Sequence, residues 1–313
     1  MGSPAGLAAV AAELGFDSVG VCSASASTHV EAYEAWLAKG YQGEMGYLAR
    51  HAAAKRDVDS LLPGVRSIVA ATLGYGQARE HVPGQARIAQ YALGRDYHKV
   101  LRGKLRRLAG WISAQNPGST ARVCVDSAPV LEREYAHLAG LGWFGKNTML
   151  IDSKRGSRFF IGLVLTTALL EADRPSVGGC GTCRACVEAC PTGAIVQEEG
   201  RWQVDARRCV SYLTIEHRGE IAEELTRGMG EWTFGCDVCQ DVCPFNQARI
   251  SQPLRARGTR EGDFLAREWP DLASLAEIGY AQWDDLTRGS AVRRAGWEGL
   301  RRNARINLAN ARR

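Results

Sequence analysis

The chain has no basic segment near its start, because no lysine or arginine precedes Lys39. A secretory signal begins with positive charge, and a twin-arginine signal needs its arginine pair. We therefore expect a cytoplasmic protein. Long hydrophobic runs are also lacking. The longest apolar stretch, Phe159 to Leu170, is too short to span a bilayer, and it predicts a buried strand and no membrane partner.

Excess charge is small, since 39 basic and 34 acidic residues leave a net charge of +5, but its distribution is uneven. Basic residues crowd one predicted helix and the C-terminus, where Glu298 is the only acid. Such clusters are typical of surfaces that bind phosphate backbones, although a solvated helix face is an equal alternative for the first. They comprise Arg95, Lys99, Arg102, Lys104, Arg106 and Arg107, and then Arg288, Arg293, Arg294, Arg301, Arg302, Arg305, Arg312 and Arg313.

Cysteine is plentiful, with ten residues, and eight of them lie between positions 180 and 243. A C-x2-C-x2-C-x3-C-P run ends at Pro191. A second run, C-x2-C-x3-C-P, ends at Pro244 and has the last three cysteines of the same motif. In two-cluster ferredoxins the fourth cysteine of such a run binds the other cluster. The spacing predicts two [4Fe-4S] clusters, with Cys209 replacing the cysteine that the second run lacks at Thr233. The predicted ligand sets are Cys180, Cys183, Cys186 and Cys243, and Cys190, Cys209, Cys236 and Cys239.

Zinc and disulfide bonds are the competing interpretations of these cysteines. Zinc sites use C-x2-C pairs without the trailing C-x3-C-P, and disulfide frameworks belong to short secreted chains. Both are therefore disfavoured. Cys22 and Cys124 lie in apolar, strand-like stretches and are predicted to be buried side chains without a role.

The order of predicted elements favours an α+β protein with three regions. Residues 1–172 alternate helical and strand-like pieces, including a helix stopped by Gly15, a long helix from Asp96 to Ser113, and a helix from Pro129 to Ala139. The segment 171–179 has linker composition. It leads into a cysteine-rich region, 173–250, and residues 251–313 are predicted to be helical.

Two motifs resemble cofactor signatures but depart from them. Residues 140–147, GLGWFGKN, match G-x-G-x-x-G, yet a helix precedes the loop and a strand follows it, which reverses the order that nucleotide binding requires. DYHKVL, from Asp96 to Leu101, resembles a D-x-H-x-x-G signature for a cobalamin ligand, but Leu101 stands at its glycine. His98 is therefore predicted to be a surface or packing residue.

Several segments together resemble the epoxyqueuosine reductase family. They are YALGRDYHKVLRGKL from Tyr91, VDSAPVLEREYAHLAGLGWFGKNTMLI from Val125, the double cysteine motif, CVSYLTIEHRGEI from Cys209 and FGCDVCQDVCPFN from Phe234. The resemblance extends from about residue 5 to 310. It implies a nitroreductase-like cobalamin-binding domain (1–172), a ferredoxin-like domain with two [4Fe-4S] clusters (173–250) and a helical, tRNA-facing C-terminal segment (251–313).

The resemblance also implies the reaction and its partners. The substrate is tRNA bearing epoxyqueuosine at the wobble position, and the epoxide oxygen leaves as water at the expense of two electrons and two protons. A low-potential electron donor of unidentified nature must supply the clusters, and the family suggests a monomer. A cobalamin-dependent reductive dehalogenase and a two-cluster electron-transfer protein remain the alternatives.

Asp126 is the predicted proton donor, because it lies at a strand end among apolar neighbours and matches the family's donor position. Desolvation there is expected to raise its pKa; the alternative is that it caps the helix near Pro129. For tRNA, His217 and Arg218 lie in a predicted turn beside a cluster, with the C-terminal arginines gripping phosphate. The resemblance places the cobalamin contacts at Arg56, Ser211, Gln240 and Asp241, and at the backbone near Ala89, Leu150 and Ile161.

Overall fold

The computed structural model describes residues 4–77, 82–248 and 258–312. At its centre is a four-stranded antiparallel sheet formed by β1 (Ser18–Ser23), β2 (Ser67–Gly74), β4 (Ala121–Cys124) and β7 (Phe159–Thr166), in the order β1-β2-β7-β4. The central strands pair along their whole length, from Ser67 opposite Thr166 to Gly74 opposite Phe159. The apolar run beginning at Phe159 is thus a central strand, as predicted.

Both faces of this sheet are covered, which explains why β2 is apolar along almost its whole length. Successive side chains of a strand point to opposite faces. Val69, Ala71 and Leu73 belong to a core with the long helix α5 (Tyr97–Gln115), whereas Ile68 and Ala70 belong to a second core with α6 (Glu132–Leu138). The α+β fold class predicted from the sequence is confirmed.

Helix α5 forms where its sequence predicts it and presents an apolar stripe to the sheet. The Asp96 side chain caps its first turn by accepting the N–H of His98. Leu101, Leu105, Leu108 and Ile112 recur every three to four residues and are buried. The helix therefore holds residues 96–98 rigidly at its N-terminal end, over one edge of the sheet.

The predicted helix from Pro129 begins later than expected, at Glu132. The chain between β4 and α6 forms a tight turn, in which Asp126 has a φ of 53° and the N–H of Ser127 donates to the carbonyl of Val125 at 2.6 Å. A positive φ is uncommon outside glycine. The turn uses the residues that the pattern assigned to the first turn of the helix, so Asp126 does not cap α6.

The cysteine-rich region is joined to its surroundings by paired strands and shared cores. Strand β3 (Arg87–Ile88) pairs in parallel with β10 (Trp232–Phe234). Trp269 and the last long helix, α13 (Gly296–Ala311), pack against Ile88 and Phe234. Residues 169–180 have no regular secondary structure, in agreement with the linker composition. The three regions thus share apolar packing.

The C-terminal part is helical in its described residues, as predicted, whereas the predicted boundary at 250/251 and the residues up to 257 lie outside them. Within the described part of the chain, no helix has the length and apolarity needed to cross a bilayer.

The remaining strands are β5 (Trp143–Phe144), β6 (Leu150–Ile151), β8 (Ile195–Glu198) and β9 (Arg201–Val204). The remaining helices are α1 (Pro4–Glu13), α2 (Val30–Ala38), α3 (Gly46–Arg50), α4 (Ala52–Arg56), α7 (Ala185–Glu188), α8 (Val210–Ile215), α9 (Glu223–Gly228), α10 (Val238–Asp241), α11 (Leu272–Glu277) and α12 (Tyr280–Thr287).

Candidate active site and cysteine groups

Four cysteines line one apolar cavity near the surface. Cys180, Cys183, Cys186 and Cys243 surround it, with Asn147 and Phe245 among the other lining residues. Burial, with a smaller effect from the other three thiols, raises the pKa of the Cys186 thiol to about 11. Desolvated thiols that raise one another's pKa hold their protons, because several neighbouring thiolates without a positive partner would repel one another. They fit a bound cationic group that accepts several thiolates.

The other four cysteines form a second, more enclosed group. Burial raises the pKa of Cys236 to about 12, with Cys209 and Cys190 adding to the effect. Burial also raises the pKa of Cys239. The charges of Cys209, Cys236 and, from the first group, Cys186 act in the same direction. The two groups are therefore neighbours. All ten cysteines are free thiols, and Cys22 and Cys124 are buried in the cores, as predicted.

The GLGWFGKN segment supports the first group and has no nucleotide-binding geometry. It forms the β5–β6 hairpin, with no helix after the glycines. Lys146 Nζ donates to the carbonyls of Gly181 and Cys183, both at 2.8 Å, and Asn147 Nδ2 donates to the carbonyl of Cys239 at 3.3 Å. The segment thus contacts the backbone of both cysteine groups.

Asp126 lies opposite His98 and forms a hydrogen-bonded pair with it. The Asp126 Oδ2 to His98 Nε2 distance is 3.0 Å, and His98 Nδ1 lies 2.7 Å from Asp96 Oδ1. His98 is partly exposed, in line with its prediction as a surface or packing residue, and the turn after β4 brings Asp126 against it at the first turn of α5. Sequence spacing could not show that two residues 28 positions apart meet in the fold, although the D-x-H motif did single out His98.

The predicted direction of the Asp126 pKa shift is wrong. Burial tends to raise this pKa, but the hydrogen bond and charge of His98 outweigh burial and lower it. For His98, burial tends to lower the pKa, and its bonds to Asp126 and Asp96 prevail, so that the pKa rises to about 9. At neutral pH the pair therefore carries one proton, which resides on His98.

The exposure and the pKa shifts of Asp126 and its neighbours indicate a concave site. The Asp126 side chain is 60% exposed and Arg133 is exposed, yet burial acts on the pKa of both, lowering that of Arg133. Side chains that reach solvent while protein surrounds them on other sides lie in a concave site. Burial and the Asp126 charge raise the pKa of Glu132 to about 8, whereas burial lowers that of Lys55.

Glu132 supports the Asp126 turn, and the sequence analysis missed it. The N–H of Asp126 donates to Glu132 Oε1 at 2.5 Å. Tyr97, next to His98, stacks on Phe160 with ring centroids 4.2 Å apart. The Glu132 contact holds the backbone of Asp126, and the Tyr97 contact holds the chain beside the His98 imidazole. No sequence signal distinguished Glu132 from an ordinary helical glutamate.

The surroundings of Asp126 extend to the second cysteine group, because the charges of Asp126, Tyr75 and Cys239 all raise the pKa of Arg133. Gln240, next to Cys239, is buried and lies 3.3 Å from the Tyr75 hydroxyl, and it accepts the Ser157 hydroxyl at 3.0 Å. Asp241 pairs with Arg158 at 2.5 Å and Arg87 at 3.5 Å. Both predicted cobalamin contacts thus lie between the second thiol group and the sheet.

The other predicted cobalamin contacts are distributed around the fold. Arg56, at the end of α4, pairs with Glu34 at 2.7 Å, and Ser211 is half-buried on α8. The Ala89 N–H donates to the carbonyl of Phe234 at 2.8 Å. Leu150 is buried in β6, and Ile161 lies opposite Thr72 in the sheet. These assignments stay predictions.

The C-terminal arginines differ from expectation, because acids from earlier in the chain neutralise several of them. Arg294 pairs with Glu216 at 2.9 Å and Arg293 with Asp284 at 2.5 Å. Glu277 accepts two further arginines of α13, and Arg302 donates to backbone carbonyls of residues 213–219. The predicted scarcity of neutralising acids was wrong, since folding supplies them. Arg313 lies outside the described residues.

His217 and Arg218, the turn residues predicted to contact tRNA, also bind other residues of this chain. His217 Nδ1 lies 2.9 Å from Glu44, and Arg218 donates to the carbonyls of Ile215 and Arg294 at 2.9 and 3.1 Å. On α5, by contrast, Lys99, Arg106 and Arg107 are exposed and form no ion pair within the described chain. The exposed face of α5 is therefore the better placed basic surface beside Asp126.

Adjacent groups of four thiols serve electron transfer through cubane clusters, and here they lead to a concavity with a proton-carrying pair. The class is a two-cluster iron–sulfur oxidoreductase. The family described as "4Fe-4S double cluster binding domain" matches residues 179–246, and "Epoxyqueuosine reductase QueG, DUF1730" matches residues 55–127.

Full-length relatives narrow this class to one family. An epoxyqueuosine reductase of Gloeobacter violaceus is 45% identical over 276 residues, covering 86% of this chain and 84% of the relative. One of Vibrio cholerae is 46% identical over 264 residues, covering 82% and 69%. A crystal structure of an epoxyqueuosine reductase with an epoxyqueuosine-modified tRNA-Tyr stem loop superimposes with a TM-score of 0.85 at 26% identity, covering 97% of this chain and 80% of that one. The chain belongs to the epoxyqueuosine reductase family, and its cofactors are cobalamin and two [4Fe-4S] clusters.

Proposed function

We propose that this chain reduces epoxyqueuosine to queuosine in tRNA, with Asp126 and His98 as its proton-donating pair. The observation that carries the assignment of roles is the His98–Asp126 contact at 3.0 Å in an open concavity next to the second cysteine group. The family relation supports the reaction, and the tRNA stem loop bound by the related enzyme supports the partner. The family relation also disfavours a reductive dehalogenase and a protein that only transfers electrons.

Each cofactor has residues that fit it. The first cluster would be held by Cys180, Cys183, Cys186 and Cys243, and the second by Cys190, Cys209, Cys236 and Cys239; the two thiol groups support this division. When bound and reduced, cobalamin would supply the electrons for removing the epoxide oxygen. Cobalamin would lie between Asp126 and the second thiol group, beside Gln240 and Asp241, with Arg56, Ala89, Leu150, Ile161 and Ser211 as further proposed contacts.

The protein's own task is to deliver protons in a defined place. An oxygen leaving an opened epoxide is a far stronger base than a carboxylate or an imidazole, so it takes a proton from the pair. His98 holds that proton at neutral pH and Asp126 presents it, because the two groups titrate as a unit. Glu132 and Tyr97 keep the pair aligned. Two electrons and two protons convert the epoxide to an alkene and water.

Regions 1–172, 173–250 and 251–313 are proposed as the cobalamin-binding, cluster-binding and tRNA-facing parts. The unpaired basic residues on α5 support a tRNA contact beside Asp126. We propose a monomer that acts in the cytoplasm and receives electrons from a low-potential donor.

The reaction is tested by anaerobic reconstitution with iron, sulfide and cobalamin, followed by a single turnover on tRNA bearing epoxyqueuosine. Mass analysis of the nucleoside is expected to show the loss of one oxygen atom, and only when both cofactors are present. Cobalamin uptake without that loss would contradict the proposed substrate. Failure to bind a corrinoid would reduce the protein to an electron carrier.

The pair also predicts a pH dependence. The pKa of His98 is raised from 6.5 to about 9, so its proton is present at neutral pH and is lost as pH rises through about 9. Turnover should decline there, and the ion pair's contribution to folding stability, fully present below pH 6.5, should decline between pH 6.5 and about 9. In Asp126→Asn the imidazole loses its strongest partner, and its pKa should fall. NMR titration of His98 measures this directly; an unchanged pKa would show that the contact does not form in solution.

A further inference from the structure

The two cysteine groups differ in their access to solvent. Cys183, in the first group, is exposed. In the second group Cys239 lies beside buried Gln240. Electron transfer falls steeply with distance, so electrons from another protein enter most readily where a cluster ligand reaches the surface. That place is the loop around Cys183, provided that the proposed cluster ligands are correct.

Positive side chains surround this exposed ligand. Lys146 and Arg184 lie on the ring of Trp202, each 5.5 Å from its centroid, and Lys146 also binds the Cys183 carbonyl. Arg201, adjacent to Trp202, is exposed and forms no ion pair with described residues. The stacking fixes the two cations beside the cysteine loop and holds them there without neutralising their charge.

The acids near these cations are few: Glu198 and Glu199 precede Arg201 at the turn between β8 and β9, and Glu198 pairs with Lys39 at 2.7 Å. Glu188 is the acid that approaches Arg184, at 3.9 Å with both side chains more than half exposed, and exposed pairs of this kind are weak. Val177, shortly before the first cluster cysteine, is 96% exposed. An apolar side chain with flanking cations suits a small, transient interface, since opposite charge steers the approach and little area is buried.

We propose that Lys146, Arg184, Arg201 and Trp202, with Val177 beside them, form the docking surface for an acidic, low-potential one-electron carrier protein. This inference rests on the proposed function in two respects, the cluster ligands and the need for an external donor. Each encounter oxidises the carrier by one electron and reduces the first cluster by one, and no proton moves. Two encounters supply one turnover. tRNA is also anionic, but the position of the surface around an exposed cluster ligand favours an electron carrier.

The test measures cluster reduction by anaerobic stopped-flow absorbance in the reconstituted holoenzyme, with a reduced acidic plant-type [2Fe-2S] ferredoxin as donor. An Arg184→Glu/Arg201→Glu protein should react about tenfold more slowly than wild type at low ionic strength, and the difference should shrink with salt. Arg66→Glu, an exposed charge reversal just before β2, is the matched control and should react normally. Neither substituted position is a proposed cluster ligand.

Methyl viologen radical cation provides the second reductant, and the double variant should accept its electrons at least as fast as wild type. Equal ferredoxin rates in wild type and the double variant would overturn the proposal, as would equal slowing with both reductants, which would indicate a disturbed cluster. Lost tRNA binding with normal reduction would assign the surface to tRNA and overturn it too. Because the assay follows the clusters, it remains readable if epoxyqueuosine is not the substrate.

Discussion

An Asp126→Asn enzyme should lose turnover by a factor of about 10² to 10⁴, the usual contribution of a positioned general acid, while still binding cobalamin and tRNA. The amide keeps the shape of the side chain but cannot pass the pair's proton to a leaving oxygen. It also removes the charge that keeps His98 protonated at neutral pH. The measurement is single-turnover formation of queuosine, together with corrinoid absorbance and tRNA affinity.

Asp285→Asn is a suitable control for Asp126→Asn. The Asp285 side chain is 82% exposed on α12 and pairs weakly with Arg288, so its loss should leave turnover within about twofold. Full activity in Asp126→Asn would remove this carboxylate from proton delivery. A loss of tRNA binding equal to the loss of rate would assign Asp126 to substrate binding instead.

Replacing one cluster ligand should abolish turnover and remove about half of the iron, from about eight atoms per chain to about four. Cys239→Ala is the most informative variant, because Cys239 belongs to the second thiol group and its charge, like that of Asp126, acts on Arg133. Without that cluster, electrons entering at the first group have no route inward. Iron analysis and EPR spectroscopy of the reduced protein measure the loss.

The same experiment tests the crossed ligand sets. Cys190→Ala should resemble Cys209→Ala in the EPR signal that it loses, although Cys190 belongs to the first sequence run. Cys124→Ala is the control, since Cys124 is buried in the core of the sheet and should leave the iron content unchanged. If Cys190→Ala instead removed the same signal as Cys180→Ala, each sequence run would hold its own cluster and the crossed assignment would be wrong.

The local parts of this protein could be predicted because their causes are local. Gly15 ends α1 with a φ of 86°, Asp96 caps α5, and cysteine spacing expresses the ligand requirements of a cubane. The family resemblance rested on the same kind of signal, contiguous segments in a fixed order. The relatives confirmed the family, the reaction class and the cofactors.

Sequence by itself thus determined the fold class, the cluster-binding region and Asp126 as a residue of interest. Only the tertiary structure decided the protonation state of Asp126 and its hydrogen-bond partner. The pKa of a carboxyl depends on what folding places beside it, and His98 reverses the shift that apolar neighbours predicted. For the same reason Glu216, Glu277 and Asp284 neutralise arginines that seemed free in sequence. Charges act across space over a few ångströms, and residues far apart in the chain meet at that range only after it folds.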